Sequence, residues 1–315
     1  MNRFFFPLLF FLAFVGIYYT FGKKKVLKKS AAIPSSTGAV SNPKINTNNP
    51  STNTLPNNNA GVVTPSKIQV PVFIFAGESG AASKNSNDTA SQGDFDPVSN
   101  VRIVNNNTLN LEPINFPNNN CLNENDTANG SAFGWEVPAC NLFKIGGIGN
   151  YSELIIIKTA QPGAVIGQYN EDIRNGYFTA TMNKINVVKN ALANEGKTPK
   201  FYIFYSQGIN NQRYSDLSDD AHFPNLRGSE YWLAATRVYL NKLVANTSND
   251  TKVCVSKFWD EYGDYVNGRI DQLTNDNPTH FSSVNTANLS RQGDRLHLDT
   301  PSNKSLFLQM YYKMS

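Results

Sequence analysis

Three short segments of this chain carry residue types that could together perform nucleophilic acyl transfer. Ser79 offers a hydroxyl nucleophile at the end of a Gly-Glu-Ser segment, and Asn210 offers an amide donor within Gly-Ile-Asn-Asn. His297 lies near the end of the chain with Asp294 three residues before it, a spacing that lets one short loop supply a base and the group that orients it. In this chemistry His297 removes the proton from Ser79, and Asp294 holds the imidazole in the right tautomer.

Both Ser79 and Asn210 follow apolar runs that have the composition of buried strands. The runs span residues 70–76 and 201–205 and end shortly before the two polar residues. The carboxyl ends of parallel strands share one edge of a sheet, where open α/β folds bind their ligands. We therefore expect Ser79 and Asn210 to meet at that edge.

Strand and helix patterns alternate along the rest of the domain. Apolar runs predict further strands, and helical spacing of apolar residues predicts helices. The predicted strands lie at 101–104, 153–158 and 252–258, and the predicted helices at 179–194, 230–244 and 303–314. This alternation predicts an α/β fold with a doubly wound parallel sheet.

The segments around the nucleophile resemble those of the SGNH (GDSL-like) hydrolases, and within them the sialate O-acetylesterase-like carbohydrate esterases. The resemblance covers roughly residues 68–315. The first segment follows the Gly-Gln-Ser-Asn block of those esterases except at Glu78 and Gly80, and the nucleophile Ser79 is kept. The segment 130–136 matches the two glycines and the aromatic residue of their second block.

The later segments continue the resemblance. Residues 207–211 are closer to the Gly-x-Asn-Asp form of the wider superfamily than to the Gln-Gly-Glu-Ser-Asp form of this branch, and the closing Asp-x-x-His block is intact at Asp294 and His297. The resemblance implies a three-layer αβα fold, an acyl-enzyme on the serine, and an O-acetylated carbohydrate as the substrate. It requires no cofactor and no metal.

The resemblance also implies an oxyanion hole. Its donors would be the backbone N–H of Ser79, the backbone N–H of Gly130 and the side-chain amide of Asn210. Gly134 is the alternative backbone donor, because the alignment of this loop could slip by a few residues. Three further residues are candidate contacts to the substrate: Glu78, Gln207 and Trp135.

Two other functions stay open. A catalytically weak or inactive, tethered glycan-binding protein is favoured by the departures at Glu78 and Gly80 and by a stalk-like linker. A lipid or thioester hydrolase of the wider superfamily is favoured by the altered third block. A complete catalytic set argues against a pure binder, which has no need of a nucleophile, a base and an orienting acid together.

The first 29 residues predict attachment to a membrane. Residues 4–21 form an almost uncharged apolar run close to the length of a membrane-spanning helix. A signal peptide is the alternative, but no small-residue cleavage pattern follows the run, so we expect a retained anchor. Residues 30–67, dominated by Asn, Ser, Thr, Pro and Gly, predict a disordered linker.

The orientation of this anchor is predicted less directly. A lysine cluster within residues 23–29 would favour a cytoplasmic position for the linker and the domain after it. Large domains translocate regardless of nearby charge, and we expect the esterase domain on the extracellular or luminal side. The net charge of +4 includes these lysines, so the folded domain is close to neutral and nothing indicates nucleic-acid binding.

The chain has three cysteines, and no Cys/His grouping has the spacing of a metal site. Cys121 and Cys140 bracket the Gly130 segment, and a disulfide between them would fix that loop in an oxidising compartment. Cys254 lies within an apolar run, where a buried free thiol is expected.

Overall fold

A computed structural model describes residues 67–82, 92–115, 134–169, 177–213, 223, 225–293 and 296–315. The expected anchor, and the expected linker up to residue 66, lie outside these residues. Within the part of the chain that is described, no helix combines the length and the apolar character needed to cross a membrane.

One sheet organises the described residues. Its strands are β1 Gln69–Gly77, β2 Val101–Val104, β3 Leu111–Pro113, β4 Leu154–Lys158, β5 Thr198–Ser206, β6 Lys252–Ser256 and β7 Phe281–Val284. The strand order is β3-β2-β4-β1-β5-β6-β7, and only the β2–β3 pair is antiparallel. The predicted α/β fold with a largely parallel sheet is therefore confirmed, and the predicted nucleophile strand lies at its centre.

The helices of the described part follow the strands. They are α1 Ser79–Ala82, α2 Glu136–Lys144, α3 Ile166–Tyr169, α4 Tyr177–Asn194, α5 Ile209–Arg213, α6 Gly228–Asn246, α7 Asp260–Asp276 and α8 Thr300–Met314, with a 3-10 turn at Gln92–Phe95. The helices predicted from apolar spacing correspond to α4, α6 and α8. Gly196, just beyond α4, has φ +70°, in the left-handed region where a glycine commonly ends a helix.

Helices cover both faces of the sheet. Phe204 of β5 stacks on Phe307 of α8 with ring centroids 5.2 Å apart, while the next residue, Tyr205, contacts Tyr239 of α6 at 6.0 Å. Successive side chains of a strand point to opposite faces, so α8 and α6 lie on opposite sides of β5.

An aromatic cluster fills the space between the central strands and α8. Phe73 and Phe75 of β1, Phe204 of β5, Trp135 and Phe307 are all fully buried and meet in edge-to-face or tilted contacts. Such pairs add roughly 0.5–1.5 kcal/mol each beyond the burial of their area. The carboxyl ends of β1 and β5 are thus held on a rigid base.

Candidate active site

Gly77 brings the carboxyl ends of β1 and β5 unusually close. It pairs with Ser206 in the parallel register and has φ +115°, and a Cβ at this position would lie 2.0 Å from the Ser206 carbonyl oxygen. The next N–H, of Glu78, donates to that same oxygen at 2.7 Å. Because α1 begins directly afterwards at Ser79, the candidate nucleophile lies at the edge of the sheet, as its position in the sequence predicts.

The third segment lies immediately beside the first. The carboxylate of Glu78 accepts hydrogen bonds from the backbone N–H groups of Gly208 and Ile209, both at 2.8 Å, and of Asn210 at 3.3 Å. The side-chain Nδ2 of Asn210 donates to the same carboxylate. Asn210 is therefore bonded to the residue that directly precedes Ser79 in the chain.

Burial raises the pKa of Glu78 from 4.5 to about 7, even though its four hydrogen-bond donors lower the pKa. The carboxyl is only 2% exposed, and loss of hydration penalises its charged form. A glutamate that titrates near neutral pH thus lies next to the candidate nucleophile.

His297 reaches the same place from the other end of the chain. Ser79 and His297 line one small pocket, although their sequence positions are far apart. The other lining residues are Glu78, Ser206, Ile209, Ser256, Lys257, Phe258, Trp259, Leu296, Leu298, Asn303 and Leu306. The structure thus joins the predicted nucleophile and the predicted base in one cavity.

The loop that carries His297 is closed on itself. Arg291 and Leu298 form an antiparallel bridge, and the N–H of Gln292 donates to the His297 carbonyl oxygen at 2.8 Å. Asp299 then begins α8 by accepting the Ser302 N–H at 2.9 Å. The predicted orienting acid, Asp294, lies outside the described residues.

The second block is described only in part. Gly130 lies outside the described residues, whereas Gly134 is buried just before α2 and its carbonyl oxygen accepts the N–H of Val137 at 3.2 Å. At the start of α2, Glu136 pairs with Lys158 at 2.8 Å, and both side chains are buried. This ion pair ties the start of α2 to the end of β4, and no pattern in the sequence predicts it.

Trp135 and Gln207 support the site from behind, so the expectation that they contact substrate is corrected. Trp135 is fully buried, and its Nε1 donates to Oδ1 of Asn303 at 2.8 Å. Gln207 is also fully buried; it donates to the Ala164 carbonyl oxygen at 3.2 Å and accepts from Nε1 of Trp232 at 2.7 Å. Neither side chain offers a face to a sugar.

Two apolar walls of the pocket were not predicted. Phe258 and Trp259 follow β6, and the guanidinium of Arg291 lies over the Trp259 ring, 5.9 Å from its centroid. The strand predicted from the sequence extends to residue 258, whereas β6 ends at Ser256, so Phe258 was not recognised as a residue that follows a strand. Strand ends at this edge deliver the side chains that follow them to the pocket.

The cysteine pairing expected for the second block is not formed. Cys140 is a free thiol on α2, fully buried in the core, and burial raises its pKa well above the usual value. Cys121 lies outside the described residues. Cys254 is a buried free thiol, as predicted.

Comparisons with known proteins address the fold. No family model matches the sequence, and no curated protein matches it significantly. Among solved structures, a protein from Arabidopsis thaliana is similar with a TM-score of 0.58 and 15% identity, over 78% of this chain and 97% of that chain. NanS has a TM-score of 0.45 and 13% identity, over 78% and 98% of the two chains. Est24, a carbohydrate acetylesterase from Sinorhizobium meliloti, has a TM-score of 0.38 and 12% identity, over 78% and 97%.

At these identities the similarity concerns the fold, and the chain has the α/β fold of the Arabidopsis protein.

Proposed function

We propose that this chain is a serine esterase that removes acetyl groups from O-acetylated carbohydrates through an acyl-enzyme. The observation that carries the proposal is the shared pocket of Ser79 and His297, with Asn210 bonded to Glu78, the residue that precedes Ser79. Nucleophile, base and an amide donor come from three separate parts of the sequence. A fold that had lost this chemistry would have no reason to keep them together.

The mechanism follows from these positions. His297 takes the proton of the Ser79 hydroxyl as the oxygen attacks the ester carbonyl, and Asp294 orients the imidazole. The developing oxyanion accepts a hydrogen bond from the N–H of Ser79. Ser79 is the first residue of α1, so this N–H has no acceptor within the helix. The side-chain amide of Asn210 and a backbone N–H of Gly130 or Gly134 complete the set. As the tetrahedral intermediate collapses, the bond between the carbonyl carbon and the sugar oxygen breaks, and the protonated His297 gives its proton to that oxygen so that the sugar leaves as an alcohol. His297 then removes a proton from water, which attacks the acyl-enzyme; acetate leaves and Ser79 regains its proton from His297.

The pocket that holds Ser79 and His297 has apolar side chains on one side. These belong to Ile209, Phe258 and Trp259. They can accept the acyl group of an ester, and the length of that group is measured in the experiment below.

The carbohydrate part of the substrate rests on the sequence resemblance. We also propose that residues 4–21 hold the enzyme at a membrane, with the esterase domain outside the cytoplasm. Protease protection on sealed vesicles tests this placement. Digestion of the domain only from the cytoplasmic side would overturn it.

The activity is tested with purified full-length chain and aryl esters of acetate, butyrate and octanoate. We expect hydrolysis of the acetate, with little of the octanoate. Ser79→Ala should abolish turnover, and the matched control Ser99→Ala, at an exposed serine before β2, should not change it. An inert chain that still binds acetylated glycans would establish the binding protein instead, and a preference for octanoate would establish the lipid hydrolase.

A further inference from the structure

The Glu78 carboxylate is surrounded by donors. Three consecutive backbone N–H groups, from Gly208 to Asn210, and the side-chain amide of Asn210 all point at it. An ionised carboxylate only accepts hydrogen bonds, so it matches four donors without conflict. A glutamine side chain, which the resembling esterases carry here, would turn an NH₂ group toward some of these donors.

This arrangement also determines how the Asn210 amide is oriented. Because the carboxylate cannot donate, the Nδ2 atom of Asn210, rather than its Oδ1 atom, must face Glu78. One amide hydrogen is used in this contact, and Nδ2 carries a second one. Asn210 is only 9% exposed, so its side chain has little freedom to turn otherwise.

We propose that Glu78 is a positioning residue that sets the Asn210 amide for stabilisation of the oxyanion. This role rests on the proposed esterase activity. Glu78 does not touch the reacting atoms; it fixes the loop and the amide that do. Glu78 stands where the resembling esterases carry a glutamine. On this proposal the substitution changes how the oxyanion hole is held in place and does not indicate that catalysis is lost.

Protonation of Glu78 should weaken the four hydrogen bonds that fix Asn210 and the loop before it. A protonated carboxyl carries an O–H donor that would face four other donors, and the raised pKa places this event near neutral pH. The Tyr205 phenol interacts electrostatically with Glu78, and burial raises its pKa well above 10, so it stays neutral throughout this range. The charged or titratable side chains of Lys257 and His297 line the same pocket as Glu78.

The first test compares Glu78→Gln with Asn210→Ala and the double variant in aryl acetate hydrolysis. Glu78→Gln should lower kcat by at least about tenfold with little change in KM, because a misplaced oxyanion donor acts on the transition state. In the double variant the losses should not multiply; kcat should lie within about threefold of Asn210→Ala. Multiplying losses, or an unchanged kcat in Glu78→Gln, would overturn the proposal.

The second test uses the pH profile, which a purely structural role would not alter. A general base contributes one proton-linked loss of activity on acidification, and protonation of Glu78 should add a second, so log kcat/KM of the wild type should approach a slope of about 2. Glu78→Gln should reduce the limiting slope to about 1. Identical slopes in both proteins would contradict the role of Glu78.

A third measurement does not depend on activity and separates this inference from the proposed function. The side-chain amide NMR signal of Asn210, assigned by its loss in Asn210→Ala, should shift between about pH 6 and 8 in the wild type and stay constant in Glu78→Gln. If the chain is inert but the Asn210 signal titrates in this way, the proposed esterase activity is refuted and the positioning of Asn210 by Glu78 stands. If the chain is active but the Asn210 signal does not titrate, the positioning role of Glu78 alone is refuted.

Discussion

The buried carboxyl of Glu78 should make the stability of the fold depend on pH in a specific direction. Its pKa is 4.5 as an unperturbed side chain and about 7 in the folded chain. A raised folded-state pKa means that the folded chain binds a proton more tightly than the unfolded chain. Stability from this group is therefore fully present below pH 4.5 and is lost as pH rises to about 7.

The size of the effect follows from the shift. Each unit of pKa difference corresponds to about 1.4 kcal/mol, so the contribution changes by roughly 3 kcal/mol across this interval. Denaturant unfolding of the wild type and of Glu78→Gln, at several pH values, measures it. Other groups titrate equally in both proteins, so the difference between their unfolding free energies isolates Glu78.

We expect the wild type to lose about 3 kcal/mol relative to Glu78→Gln between pH 4.5 and 7. A constant difference would show that the carboxyl titrates normally, and a difference of opposite sign would show that its four donors outweigh its burial. Either result would refute the argument that loss of hydration dominates at this position. If the prediction holds, the ionised Glu78 carboxylate, which is proposed to position Asn210, is also the state of this group that destabilises the fold.

Three further results are expected. Gly77→Ala should destabilise the fold by roughly 3 kcal/mol or more, since the added Cβ would collide with the neighbouring strand. As a control, Gly268→Ala on the exposed side of α7 should stabilise the fold by roughly 0.5–1 kcal/mol, because a Cβ added there meets no neighbouring atom within 4 Å. Thermal unfolding of both variants measures the difference. Lys158→Met should cost about 3–5 kcal/mol in denaturant unfolding, because it leaves a buried carboxylate without its cation; a loss below about 1 kcal/mol would mean that the pair is dispensable. Asn210→Ala should lower kcat by about 10²–10³-fold with little change in KM, and steady-state kinetics showing a change in KM alone would remove Asn210 from the oxyanion hole.

Much of the central sheet could be predicted because its strands are buried on both faces. The apolar runs that became β1, β4 and β5 are continuous, so the residues that follow them were placed at the right edge. The helix α7 was not predicted, since its glycines and charged residues obscure the buried positions Val266 and Ile270. Antiparallel β3 has only three residues, too few for a periodic signal.

The sequence predicts candidate residues for the site, but it does not predict their contacts. Ser79 and His297 could be matched as types, but the shared pocket depends on the chain path between them. Trp135 was wrongly expected to contact substrate. The sequence of a glycine-rich segment does not indicate whether an aromatic side chain faces the core or the site, and Trp135 packs on Phe75 in the core. The role of Glu78 was not foreseen, since an acid in place of a glutamine is informative only when its four donors are known.

The pocket joins the first strand of the described domain to the loop that precedes its last helix. During synthesis on the ribosome, Ser79 emerges long before His297, and the helix α8, which completes the aromatic core through Phe307, emerges after the other described elements. A nascent chain can therefore pair β1 with β4 and β5 while it still lacks the proposed base, His297. We expect activity to appear only when α8 docks, so that an incomplete or C-terminally clipped chain is catalytically silent even where most of its sheet has formed.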